Sequence, residues 1–415
     1  MDTPAPPNPI RSIVALLSSV GASSTAVALL TTVLGKQVFD LTGSPLALGL
    51  LGLAEFAPAA LLVFVTGTLA DRIDRSKLAG TALFGQALTV CGLAWYAGTN
   101  PTSTAPIFLL VIAFGTANAF ATPATRALPA DVVEPFRLPW LVARQNATWQ
   151  GASILGPVLG GVLYVVNVRL PYVAGAVLVF AAAVAILFVR PFHRAERVAR
   201  PRAGMREALE GVRFVRTQPI LLGAISLDLF AVLFGGAVAL LPAIAENRLG
   251  VGAVGLGVLR AAVGIGAGSV TLFLTVRPVQ RRVGRTLLVA VALFGVGTIV
   301  LGATTNFIVA FVALIALSGA DSISVFIRST LVPLVTPRDK RGRVLAVEAV
   351  FIGASNELGA FESGVVGQLL GASAAVVLGG VATLAIAALW WGVFPALRNV
   401  DRFPIAVDPS PPPPP

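Results

Sequence analysis

The chain has 415 residues, of which 56% are hydrophobic and only 12% are charged, and its formal net charge is +11. Soluble globular proteins carry about a quarter charged residues, so this composition excludes a soluble enzyme, a nucleic-acid-binding protein and a disordered chain. A polytopic membrane protein remains. Its excess of positive charge is typical of loops on one side of a membrane, and we predict no nucleic-acid partner.

Twelve apolar runs are each long enough to cross a bilayer as an α-helix, which takes about 20 residues. They cover residues 13–39, 45–70, 78–98, 106–130, 140–166, 170–190, 219–246, 252–276, 286–304, 306–332, 343–370 and 373–397. A long polar break at 191–218 separates the first six runs from the last six. The predicted fold class is an all-α membrane protein with twelve transmembrane helices in two pseudo-symmetric six-helix bundles.

The basic residues alternate between successive loops. If both termini lie on one side, the loops and tails of that side hold 23 of the 30 basic residues, whereas the opposite loops hold two, Arg169 and Arg248. Cytoplasmic loops carry the excess of lysine and arginine, and the preference for arginine over lysine, 27 to 3, indicates a GC-rich bacterial genome. We therefore predict a bacterial inner-membrane protein with both termini in the cytoplasm.

These boundaries divide the chain into five predicted parts. They are an N-terminal cytoplasmic tail (1–12), a six-helix bundle (13–190), a basic cytoplasmic linker (191–218), a second six-helix bundle (219–397) and a proline-rich cytoplasmic tail (398–415). Within the linker, apolar residues recur at helical spacing from Met205 to Val215, which predicts a short amphipathic helix. This helix either lies on the inner membrane surface or forms a solvated connection.

The two halves of the chain repeat short sequences at a constant offset. Arg126 and the tripeptide Gly151-Ala152-Ser153 recur 202 positions later as Arg328 and Gly353-Ala354-Ser355. Repeated transmembrane halves place a substrate site near the middle of the bilayer, between the halves. The repeat therefore predicts a transporter that works by alternating access.

Two stretches carry a resemblance to a known family. Residues 67–77 (GTLADRIDRSK) resemble the loop signature of the major facilitator superfamily, and residues 156–161 (GPVLGG) resemble the fifth-helix signature of its antiporters. Three further passages are similar to the branch that contains the enterobactin exporter and bacterial drug efflux pumps, namely 37–45, 233–242 and 355–364. The chain departs from the loop signature at Asp74, where glycine is preferred, and Arg281 replaces the aspartate in the second half.

The resemblance implies a gate at the cytoplasmic face. The family's arrangement implies that Asp71 contacts Arg126, near the inner end of the fourth helix, and the start of the eleventh helix. The gating candidates are Gly67, Asp71, Arg72, Arg75, Arg126 and Arg328. For Arg72 and Arg75 the alternative is that they only enforce the inward position of their loop.

Small and kinking residues lie inside the fifth run, at Gly156, Pro157, Gly160 and Gly161. Small residues let membrane helices approach closely, and a proline bends a helix. We predict that this segment packs closely against another helix. The resemblance adds that its bend helps to close a leak path in exporters.

Six carboxylates fall inside the predicted spans, namely Glu55, Asp228, Asp321, Glu348, Glu357 and Glu362. An ionisable side chain at membrane depth is costly and therefore marks a functional site by default. Desolvation disfavours the charged form, so such a group can take up a proton on one side and release it on the other. Glu348 lies near the inner end of its run, where snorkelling or a loop arginine would satisfy it.

The proton-coupling and substrate candidates are accordingly Asp228, Asp321, Glu357, Glu55 and Glu362. We expect at least one of the first three to carry the coupling proton. The alternative for each carboxylate is a structural ion pair with Arg126, Arg260 or Arg328.

Together these features predict a secondary active transporter that exports small amphiphilic molecules, such as drugs or siderophore-like compounds, by proton antiport. The predicted partners are the small-molecule substrate, protons and the lipid bilayer; we expect a monomer with no enzymatic activity, no cofactor and no metal site. Three alternatives remain open. They are a proton-coupled uptake symporter of a small metabolite, a narrow-substrate siderophore or lipid exporter, and a channel or membrane scaffold.

Overall fold

The structure, a computed structural model, describes residues 9–190 and 205–404. Side chains are described for all of these residues except 9, 63–64, 67–68, 70–72, 205–209 and 338–339. The described residues form two compact units, which we call unit 1 (9–190 and 241–264) and unit 2 (205–240 and 265–404). The stretch 241–264, which belongs to the seventh and eighth apolar runs, packs within unit 1.

The helices before the linker follow one another with short connections. They are α1 (Pro9–Thr42), α2 (Pro45–Arg72), α3 (Arg75–Ala97), α4 (Ala105–Val132), α5 (Leu138–Val166) and α6 (Leu170–Leu187). The later helices are α7 (Met205–Thr217), α8 (Pro219–Phe234), α9 (Leu241–Asn247), α10 (Ala253–Val276), α11 (Val283–Ala303), α12 (Phe307–Val335), α13 (Arg338–Leu370), α14 (Ala372–Val393) and α15 (Pro395–Arg398). Short 3-10 turns precede α5 and α9.

Across the two described stretches there are no β-strands, and twelve helical spans are long and apolar enough to cross a membrane. The segment from α8 to α9 counts as one of these spans. The predicted all-α fold class with twelve transmembrane helices is therefore confirmed.

Polar residues in the connections begin several helices. The side-chain oxygens of Ser44, Asp74 and Asn306 accept backbone hydrogen bonds at the starts of α2, α3 and α12. Each of these bonds satisfies a first-turn N–H group that has no partner within the helix. Asp74, which departs from the loop signature, thus has a structural role at the start of α3.

The seventh span is broken rather than continuous. α8 ends at Phe234, and the chain passes through Gly235 and Gly236 into a 3-10 turn before α9 begins. A Cβ atom on Gly236 would lie 2.5 Å from the carbonyl oxygen of Gly359 on α13. The break in the span and the close approach of α13 therefore both depend on glycine. The run is apolar throughout, so its hydropathy predicts neither feature.

Small residues also set the helix spacing elsewhere in unit 2. Gly295 of α11 and Gly380 of α14 face each other, and a Cβ atom on Gly380 would lie 2.7 Å from the carbonyl oxygen of Gly295. Close backbone approach of this kind replaces the hydrophobic effect as the source of association between helices in lipid. This close packing of α11 on α14 is part of the helix arrangement that positions the charged residues of unit 2.

Candidate functional site

A buried ion pair in unit 2 joins Asp228 of α8 to Arg328 of α12. Oδ1 of Asp228 lies 2.7 Å from Nη2 of Arg328, and the two side chains are 8% and 5% exposed. Nε of Arg328 donates a hydrogen bond of 3.4 Å to Oγ of Ser324, one turn earlier on α12. The guanidinium group is thus oriented from its own helix while it binds the carboxylate of another.

Two further carboxylates surround this pair. Asp321 lies two turns before Arg328 on α12 and interacts electrostatically with both Arg328 and Asp228. Glu348 of α13 is buried and interacts with the same two groups. We call Asp228, Asp321, Arg328 and Glu348 the acidic cluster. If every member is ionised, its three carboxylates and one guanidinium give a formal charge of −2.

The acidic cluster brings together residues that the sequence assigned to different roles. Asp228 and Asp321 are predicted proton-coupling candidates, whereas Arg328 is a predicted gating residue because it repeats Arg126. Glu348 is the member whose position near a helix end suggested a simple snorkelling side chain. Because α13 packs against α8, Glu348 lies near the ion pair instead. The hydropathy of the sequence does not predict which helices pack together, so it could not predict this interaction.

Glu55 of α2 and Arg260 of α10 form a second acid–base group, in unit 1. Their charges interact, and Glu55 lines a small cavity with mostly apolar side chains of α1, α3 and α4. The cavity has room for roughly one water molecule. Nε of Arg260 is buried and has no hydrogen-bond partner among the residues that the structure describes.

Lys36, near the end of α1, is the centre of a group that the sequence analysis missed. Its Nζ lies 3.1 Å from Oε2 of Glu246 in α9 and also pairs with Asp40. The hydroxyl of Tyr164 on α5 donates a hydrogen bond of 2.8 Å to Oδ2 of Asp40. We call these four residues the Lys36 group. A lysine near the end of a span looks like an ordinary snorkelling residue, and only packing gives it partners from three helices.

An ion pair joins the start of α3 to the end of α4. Nη1 of Arg75 lies 2.9 Å from both carboxylate oxygens of Asp131, near the end of α4. The surroundings of Gly67 and the side chains of Asp71 and Arg72 lie outside the described residues. Arg126 is exposed. The contact between Asp71 and Arg126 stays a prediction.

The small residues of α5 face backbone on two sides within unit 1. A Cβ atom would lie 2.7 Å from an α1 carbonyl oxygen at Gly156 and 3.1 Å from another at Gly160. A Cβ atom on Gly161 would clash with the backbone of α10. In the same way, the backbone of α10 lies so close to the carbonyl group of Pro157 that a glycine of α10 could not carry a Cβ atom there. α5 therefore packs closely on both α1 and the first half of α10.

Glu357 and Glu362 are half-buried farther along α13. Oγ of Ser363 donates a hydrogen bond of 3.5 Å to Oε2 of Glu362. Within residues 9–190 and 205–404, no group of three or more His, Cys, Asp or Glu side chains is arranged to hold a metal ion.

Comparison with known proteins identifies a related family and one relative. The profile described as Major Facilitator Superfamily matches residues 12–290, which is more than half of the chain. The uncharacterised MFS-type transporter YfiS of Bacillus subtilis (strain 168) is 26% identical over 221 residues. The matched region is 51% of each protein, so it spans about half the length of that relative.

Solved transporter structures share the fold. A bacterial homologue of the human lysosomal transporter Spinster, inward-facing and occupied, gives a TM-score of 0.70 at 14% identity, covering 91% of this chain and 95% of that one. The human organic anion transporter MFSD10 (TETRAN) gives 0.66 at 17% identity, with coverages of 92% and 100%. A D-xylose-proton symporter gives 0.67 at 15% identity, with coverages of 94% and 98%. Identities this low establish the fold alone.

Proposed function

The chain belongs to the major facilitator superfamily and is a membrane transporter of that type, and from this premise we propose that it is a proton-coupled exporter. In this proposal it moves small amphiphilic molecules out of the cytoplasm in exchange for protons. The exchange ion follows the resemblance of residues 156–161 to the antiporter signature, and the direction follows the similarity of residues 37–45, 233–242 and 355–364 to the branch of drug and siderophore exporters.

The observation that carries the proposed proton coupling is the acidic cluster. Three carboxylates share one guanidinium group; Asp228 and Glu348 are buried, and Asp321 is half-buried. Uncompensated charges repel strongly where the dielectric constant is low, and burying them is costly. A proton bound to Asp321 or Glu348 removes part of that cost. The cluster is therefore suited to take up a proton from the acidic side and release it on the other.

The ion pair between Asp228 and Arg328 couples this proton to the helices. While Asp321 is ionised, Arg328 is attracted by both aspartates; once Asp321 is protonated, Arg328 is left mainly to Asp228. Protonation thus changes the attraction among α8, α12 and α13. We propose that a neutral or cationic substrate and the proton compete for this net acidic region, which makes their exchange obligatory.

The proposed topology gives the two other charged groups a place in the cycle. We propose an inner-membrane protein with both termini in the cytoplasm and with residues 13–190 and 219–397 as the two moving bundles. The ion pair of Arg75 with Asp131 then lies at the cytoplasmic side, beside the predicted gate of Asp71 and Arg126. The Lys36 group lies at the outer side, where it holds α9 against α1.

The experiment that tests proton coupling is transport in proteoliposomes with an imposed pH gradient. Wild-type protein should concentrate a lipophilic cationic dye on the acidic side by about tenfold per pH unit, the limit for electroneutral exchange of one cation for one proton. Asp321→Asn should abolish this accumulation, because the amide cannot bind or release a proton. Dye fluorescence reports the ratio directly.

The matched control is Glu134→Gln, which neutralises an exposed carboxylate between α4 and α5, outside the predicted spans, and should accumulate dye as the wild type does. Wild-type dye movement that is the same with and without the gradient would contradict proton coupling. Movement of substrate together with protons, rather than against them, would replace export by the uptake symport alternative.

A further inference from the structure

Apart from transport, we propose that unit 2 binds the phosphate-bearing headgroup of an anionic membrane lipid. The site is an open pocket of about 320 Å³ between α7 and α13, which we call the linker pocket. Its lining includes Arg213, Lys340, Arg343, Glu210, Phe214 and Thr217. The proposed transport cycle does not use these residues.

The charges of the linker pocket favour an anion. Nη1 of Arg343 lies 2.9 Å from Oε2 of Glu210, so the one acidic lining residue is already paired. Nζ of Lys340 lies 4.6 Å from the ring centroid of Phe214, a contact that positions the ammonium group without engaging its N–H donors in a carbonyl or carboxylate. With Arg213, which is exposed, the four charged lining residues carry a net charge of +2.

The position of the linker pocket favours a lipid as the source of this anion. Thr217 comes just before the span Pro219–Asn247, and Lys340 begins the span Lys340–Leu370. The ends of spans lie at the level of the lipid headgroups. The N-terminus of α13 has no side-chain cap, because the residue before it is Pro337. The positive end of this helix dipole therefore adds to the attraction for an anion.

The linker helix α7 is docked where it can hold such a headgroup. Val215 of α7 is buried with Leu221 of α8 and Val344 of α13 in one apolar cluster of unit 2. This contact holds α7 against α13, with the exposed Arg213 at the edge of the linker pocket. A phosphodiester bound between Arg213 and Lys340 would satisfy both cations and tie the linker to the second half of the transporter.

The test is native mass spectrometry of the purified full-length protein with phosphatidylglycerol or phosphatidylcholine. Wild-type protein should retain phosphatidylglycerol preferentially. Removing both cations in Arg213→Gln/Lys340→Gln should weaken that binding by about twenty-five-fold, since each basic residue near an anionic lipid contributes about fivefold. Arg216→Gln, on the same helix but outside the pocket lining, is the matched control and should bind as the wild type does.

Two further variants separate loss of binding from loss of fold. Arg213→Lys/Lys340→Arg keeps both charges and should retain phosphatidylglycerol. Glu210→Gln frees Arg343 and should strengthen binding by about fivefold, a gain that an unfolded variant cannot produce. The proposal is overturned if the wild type shows no preference for phosphatidylglycerol, or if the double glutamine variant binds it equally well.

A thermal-unfolding series identifies the source of the anion. Phosphatidylglycerol should raise the unfolding temperature of the wild type and not that of the double glutamine variant, whereas inorganic phosphate should leave both unchanged. Equal protection by inorganic phosphate would overturn the lipid assignment in favour of a soluble phosphate. Transport in liposomes of phosphatidylcholine alone keeps this result separate from the test of proton coupling.

Discussion

Asp228 and Arg328 lie 2.7 Å apart at a depth where either charge alone would be costly. Removing both charges from water carries a desolvation penalty that their attraction offsets only with good geometry and further hydrogen bonds, such as the one from Arg328 to Ser324. The further carboxylates Asp321 and Glu348 have no positive charge of their own in the cluster to offset the cost of burying them. At the scale of single residues, the pair and the surplus acids should therefore respond to neutralisation in opposite ways.

We predict that Asp228→Asn destabilises the protein by about 3–5 kcal/mol, because it leaves the buried guanidinium without a charged partner. Asp228→Asn/Arg328→Gln should recover most of this loss, and Asp321→Asn should leave stability unchanged or slightly raised. Thermal unfolding in detergent measures all three. If Asp228→Asn unfolds at the same temperature as the wild type, the ion pair does not contribute to the stability of the fold.

At the scale of helices, spacing depends on where glycine faces a neighbouring backbone. Gly156 faces α1 with no space for a methyl group, whereas Gly151, one and a half turns earlier on α5, has no neighbouring atom within 4 Å of its ideal Cβ position. The same residue type thus has two different environments on one helix. The broken span at Gly235 and Gly236 follows the same rule, since close backbone contact replaces side-chain packing there.

We predict that Gly156→Ala destabilises the protein by about 1–3 kcal/mol, because the added methyl group forces α5 away from α1. Gly151→Ala is the matched control and should be neutral or slightly stabilising, since alanine favours the helix. Unfolding temperatures of the two variants, measured side by side, give the comparison. Equal stability of both variants would remove the argument for close packing at Gly156.

At the scale of the whole molecule, the stretch 241–264 links the seventh and eighth spans to unit 1. Lys36 holds Glu246 of α9 in that unit at 3.1 Å, and Gly161 of α5 faces the backbone of α10. Within the proposed transport cycle, these contacts close the outer side and must separate when it opens. The Lys36 group then contributes directly to the balance between the two states.

We predict that Glu246→Gln increases labelling of Thr31→Cys by a membrane-impermeant maleimide by about fivefold, the shift expected when one state loses about 1 kcal/mol. Thr31 lines the cavity beside Glu55, and the natural Cys91 is first replaced by serine. Arg169→Met, which removes an exposed charge between α5 and α6 outside the Lys36 group, should leave the rate unchanged. An unchanged rate in Glu246→Gln would contradict the gating role.

The sequence by itself determined the fold class, the number of spans and the family. Spanning a bilayer requires about 20 apolar residues with internally paired backbone, and this requirement is local, so it can be recognised in each run of residues separately. The same local rule singled out Asp228 and Asp321, because a charge inside an apolar run is conspicuous wherever the helix lies.

Only the tertiary structure decided which charges are partners. Arg328, a predicted gating residue, pairs with Asp228; Glu348 joins them from a third helix; and Lys36 acquires Glu246 from a stretch more than 200 residues away. Such contacts depend on how helices distant in sequence pack together. That packing is set by close backbone approach at particular glycines, which hydropathy does not distinguish from other small apolar residues.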